Sequence, residues 1–148
     1  MSEIVKRSSK SAGDAGEYFI AYMLSRLGIS AALTTSGSSA VDIIATIDGS
    51  KSISIQVKGS WARSQPRQWM VGKHMPAASP DYFYVFCNMS EDVADKNAPE
   101  VFIVPSEVVA SDSTWHHSAP LFKIGKGEDE KYLDRWDFIQ LALAHAPS

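Results

Sequence analysis

The chain has 148 residues, 45% hydrophobic and 21% charged, with a formal net charge of −3; this suits one globular domain spanning 1–148 and excludes a disordered or fibrous chain. Its apolar runs fall far short of the ~18 residues a membrane span needs, and Met1 to Arg7 lacks the apolar core of a secretory signal, so no membrane partner is expected. The single cysteine, Cys87, excludes an internal disulfide framework and points to a small core residue in a reducing, cytoplasmic compartment.

Residues 1–11 are rich in Ser and Lys and are expected to be flexible. A helix is predicted to start between Ser11 and Asp14 and to run to Leu27, with Gly28 where a C-terminal cap belongs. Phe19, Ile20, Met23, Leu24 and Leu27 recur at helical spacing, and Glu17 falls on their apolar stripe. A carboxylate there is costly unless it pairs or serves a metal. The other reading is a first-turn Glu favoured by the helix dipole, with its head group in solvent.

Ile29 to Thr35 reads as a first, edge strand, and Ser36 to Ser39 as a turn. Two β-branched alternating runs follow, Val41 to Ile47 and Lys51 to Lys58, separated by Asp48-Gly49-Ser50, which predicts a β-hairpin. A three-residue loop pairs Ala45 with Ile53, Ile43 with Ile55 and Val41 with Val57, making one face wholly apolar; a slip of one residue would mix core with solvent positions. The opposite face then carries Asp42 across from Gln56, with Lys58 two residues on. An amphipathic hairpin with a polar outer face explains the same pattern. A carboxylate oxygen and an amide oxygen, however, are hard ligands of the kind Mg²⁺ accepts. An amine beside them can steady an attacking water or the charge that builds on phosphorus, so the predicted reaction is phosphodiester hydrolysis.

Asp42, followed fourteen positions later by Gln56-Val57-Lys58, resembles the motif of the PD-(D/E)XK nuclease superfamily. Two departures stand out: Val41 replaces the proline that commonly precedes the first acid, and Gln56 replaces the second acid, which removes one negative charge from the metal site. The resemblance implies a restriction-endonuclease-like αβββαβ core, a mixed central sheet flanked by helices. It further implies Mg²⁺ (or Mn²⁺) held by Asp42, Gln56 and Glu17, with Lys58 assisting the nucleophile. The implied substrate is DNA and the implied assembly a homodimer. The alternative is a catalytically weak or inactive module of this fold that binds DNA or a protein partner.

Charge is unevenly spread. Residues 1–80 carry nine Lys and Arg against five Asp and Glu, net +4; residues 81–148 carry five against twelve, net −7. No acid lies between Asp48 and Asp81, where Lys51, Arg63, Arg67, Lys73 and His74 are candidate phosphate contacts, or else a solvated basic loop. Trp61 and Trp69 read as core residues in preference to base-stacking platforms. Downstream, Asp81 to Asn88 is a buried strand and Glu100 to Val104 another. Ser106 is placed to cap a short helix to Ala110. Ser111 to Gly127 is irregular with a short strand at Leu121 to Ile124, and Leu133 to Ala144 forms a closing helix. His116 and His117 are adjacent and lack the spacing of a metal pair. Walker, nucleophile-elbow and dinucleotide motifs are absent from the sequence.

Overall fold

The computed structural model describes residues 8–35, 41–61 and 67–144. Helix α1 (Ser9–Arg26) starts earlier than predicted: Ser8 is its N-cap and accepts the Ser11 N–H at 3.1 Å, so Ser9 to Ser11, expected to be flexible, are helical. Residues 1–7 lie outside the described set. Gly28 follows the helix at φ 79°, the left-handed conformation that closes helices and that glycine adopts without strain.

The chain then builds a five-stranded sheet in the order β1-β2-β3-β5-β6, from β1 (Ser30–Leu33), β2 (Ile43–Thr46), β3 (Ser52–Ser60), β5 (Tyr82–Asn88) and β6 (Glu100–Pro105). The β1, β2 and β3 pairings are antiparallel, β3 and β5 run parallel, and β6 returns antiparallel. The hairpin register is the one its apolar pattern demands: Ile43 faces Ile55 and Ala45 faces Ile53. As expected, β1 forms an edge, and β5 is an interior strand buried from Phe83 to Asn88. The crossover from β3 to β5 carries a strand, β4 (Arg67–Met70), in place of a helix. That strand joins β8 (Ala119–Ile124) and β7 (Thr114–His116) in a second sheet, ordered β4-β8-β7.

Two apolar layers result. On one face Ile20 and Leu24 of α1 and Ile139 of α3 (Trp136–Ala144) pack against Ile43, Ile55, Val57 and Val85. On the other, Trp69, Phe122 and Ile124 of the second sheet and Val109 of α2 (Ser106–Asp112) cover Tyr84, Phe86, Phe102 and Val104. The fold is thus mixed α/β with a central mixed sheet flanked by helices. Because Ile55 and Val57 point to the first layer, Gln56 and Lys58 must point to the second face. The second sheet covers its β5–β6 side, but Ile44 on β2 is exposed. Ser106 is the first residue of α2, not its cap: Pro105 holds the cap position, and the buried Ser106 Oγ accepts from Ser79 N at 2.9 Å and donates to Ser79 O at 2.8 Å, anchoring the chain that enters β5.

Helix α1 approaches β3 through glycine. A Cβ built at Gly59 would collide with the Ala12 carbonyl oxygen and stand 3.0 Å from Met89 Cε, and one at Gly16 would lie 3.2 Å from Val57 Cγ1. Gly59→Ala is therefore an overpacking change, expected to cost roughly 1–3 kcal/mol in chemical denaturation. A loss below about 0.5 kcal/mol, the ordinary surface range, would show that the helix can shift freely.

Candidate functional site

The ladder between β2 and β3 stops at Ile43↔Ile55, one residue short of Asp42. Asp42 N donates to the Ile55 carbonyl at 2.9 Å, so Asp42 and Ile43 both stand against Ile55. Two residues against one is a β-bulge, a device that re-aims a side chain. Here the Asp42 carboxylate turns onto β3, where Oδ2 accepts the Val57 N–H at 2.8 Å, and this contact replaces the Val41↔Val57 pair that strict alternation predicts. The outer side is held as well: Thr34 N donates to the Asp42 carbonyl at 2.9 Å, and Thr34 Oγ1 to the Val41 carbonyl at 2.6 Å.

Of the four residues expected to carry chemistry, Asp42 is in electrostatic reach of both Lys58 and Glu17, whereas Gln56 is tied to Tyr82. Burial pushes the Asp42 carboxyl above its usual range, against the pull of the Val57 N–H and of the Lys58 ammonium. Burial pulls Lys58 below the usual lysine range, and Asp42 opposes that shift. Glu17, half-buried on α1 beside the Gly16–Val57 contact, is raised by burial first and by the Asp42 charge second. Gln56 is half-buried, and its Oε1 accepts the Tyr82 hydroxyl at 2.8 Å. Both carboxylates thus sit where ionisation is disfavoured, and Lys58 is the cation that acts on Asp42.

This donor set fits a hard divalent cation. It offers two partly desolvated carboxylates that repel one another and one amide oxygen, and a cation would relieve the repulsion. Among the described residues no three His, Cys, Asp or Glu side chains gather as a ligand cluster.

The expected phosphate contacts fare differently. Arg67 is drawn into the scaffold: its guanidinium, on a side chain 16% exposed, pairs with Glu100 at 2.9 Å and Asp129 at 2.5 Å and lies over the Phe102 ring at 5.4 Å. It is therefore not a surface contact, because acids far downstream in sequence claim it. Lys51 lies 3.7 Å from Asp81. Lys73 and His74 are exposed on the connection from β4 to β5, and Arg63 lies outside the described residues. Tyr82 is the site residue that sequence reasoning missed. It opens an aromatic run that reads as core, and only the parallel register, Ser54↔Tyr82 and Gln56↔Tyr84, sets it beside Gln56.

No protein-family model matches the chain, nor does any curated protein sequence. Among solved structures, the bacterial homing endonuclease I-Ssp6803I superposes with a TM-score of 0.66 over 96% of this chain and 100% of its own, at 17% identity. A Holliday junction resolvase from the archaeal hyperthermophile Archaeoglobus fulgidus gives a TM-score of 0.49 at 13% identity, over 88% of this chain and 94% of that one. At that level of identity the likeness is one of fold: the chain shares the mixed α/β architecture of that homing endonuclease.

Proposed function

We propose that this protein is a metal-dependent nuclease of the PD-(D/E)XK type, hydrolysing phosphodiester bonds in DNA with Mg²⁺ or Mn²⁺. The observation that supports this most is the partly desolvated pair of acids, Asp42 and Glu17, with the Lys58 ammonium acting on Asp42 at the bulge. Asp42 and Gln56 hold the cation, and Glu17 completes or orients the site. The cation, when bound, supplies positive charge at the phosphate and acidifies water. Lys58 offers N–H donors to the incoming water and to the charge developing on the phosphoryl oxygens, in a partly desolvated place where such contacts count for more than in water. Glu17, with its raised pKa, is suited to take the proton the water loses, while the phosphorus–oxygen bond to the leaving strand breaks and that oxygen takes a proton from a solvent water. Lys73 and His74 are exposed for contact with the DNA backbone.

The test is cleavage of supercoiled, linear, single-stranded and branched DNA by the purified protein. Cutting is expected with Mg²⁺ or Mn²⁺, and neither in a chelator nor with Asp42→Ala. A folded protein that binds DNA in a salt-dependent way and cuts none of these would replace this reading with that of a binding module, for which the missing charge at Gln56 is the favouring observation.

A further inference from the structure

An amide in a metal site poses a problem that a carboxylate does not. A carboxylate presents an oxygen whichever way it turns, whereas an amide presents an oxygen in one orientation and an NH₂ group, which repels a cation, in the other. Some neighbour has to choose.

Tyr82 is placed to do so. Its hydroxyl donates to Gln56 Oε1 at 2.8 Å and also shares a hydrogen bond with the Tyr84 hydroxyl.

The donor is also held rigidly. The Tyr82 ring packs on Tyr84 at 5.3 Å, Tyr84 stacks on Phe86 at 5.9 Å, and Phe86 stacks on Phe122 of the second sheet at 5.1 Å. The Tyr82 N–H bonds the Ser79 carbonyl at 3.2 Å, and Ser79 is clasped by Ser106. A hydroxyl mounted this firmly can hold a flexible glutamine in one place.

We propose that Tyr82 is a positioning residue that fixes where the Gln56 amide oxygen stands and so enables Gln56 to serve as a single-oxygen metal ligand. Resting on the proposed metal site, this accounts for how the fold functions without the second acid.

The test compares Mn²⁺ binding, read from the paramagnetic resonance signal of the free ion, in the wild type, Tyr82→Phe, Gln56→Glu and the double variant, with Asp42→Ala as reference and thermal unfolding as the check on folding. Partners of this kind typically change metal affinity 10–100-fold, so Tyr82→Phe should weaken binding about tenfold when Gln56 is present. In the Gln56→Glu background, where either oxygen serves, the same change should cost less than about twofold. An equal loss in both backgrounds would make Tyr82 merely structural and overturn the proposal. No loss in Tyr82→Phe, with binding still abolished by Asp42→Ala, would overturn it while leaving the metal site standing. Absence of saturable Mn²⁺ binding in the wild type would overturn both.

Discussion

Lys58→Met should lower the rate of DNA cleavage about 10³-fold at saturating metal while leaving DNA affinity within a few-fold, since a donor aimed at developing charge acts on the transition state more than on the bound substrate. The methylene stem is kept, so packing beside Asp42 is little disturbed. The pH profile gives the role a separate readout. Asp42 and Glu17 must ionise to bind a cation, and both are raised by burial, so the acid limb should lie above the usual carboxylate range. More Mg²⁺ should move that limb to lower pH, because proton and metal compete for the same oxygens. Lys58, lowered by burial, should lose its proton before an ordinary lysine does, and activity should fall with it; the residual activity of Lys58→Met should show no such alkaline fall. A wild-type rate that keeps rising through the alkaline range would instead make the neutral amine the active form, and the cationic role would be wrong.

Arg67→Met is the substitution expected to cost most stability, about 3 kcal/mol, because it leaves Glu100 and Asp129 facing one another without their shared cation. The figure is at the low end for a broken buried pair, since the Glu100 and Asp129 side chains are 31% and 34% exposed. For a chain of this size the midpoint should fall by roughly 6–12 °C. Below that transition the salt dependence of DNA binding should be unchanged, whereas Lys73→Ala, on an exposed side chain, should reduce its slope by about one unit. An unaltered midpoint with a reduced slope in Arg67→Met would return this arginine to the phosphate-binding surface.

These two residues also mark how far the sequence could be read. Lys58 was legible because period-2 alternation within a hairpin depends on neighbours within twenty residues, and Ile43↔Ile55 formed as the pattern required. Arg67 was not, because its partners lie 33 and 62 positions downstream, and a basic stretch free of acids in sequence is not free of them in space. β4 and β7 were missed for a related reason: each is short, and β4 pairs with β8, more than fifty residues later in the chain. At Asp42 the expected regular ladder is replaced by a bulge. Alternation carries on through Val41 in the sequence, while the bulge at Asp42 depends on Thr34 of the preceding strand region and on the Val57 N–H. Ser106 follows the same lesson, since a serine at the start of a helix is a natural cap until another loop needs its hydroxyl more.

The parallel pairing of β3 with β5 bears on when the site comes into being. The Asp42–Val57 contact closes within one hairpin, from residues 15 apart. Tyr82 reaches Gln56 only after a crossover whose strand β4 finds its partner in β8, at residues 119–124. Local hairpins form in microseconds, while pairings of high sequence separation come late. A chain still emerging or half-folded would thus hold the acid at its bulge well before the amide oxygen was fixed beside it. By this order of assembly, the proposed metal site would be complete only once β5 had paired with β3.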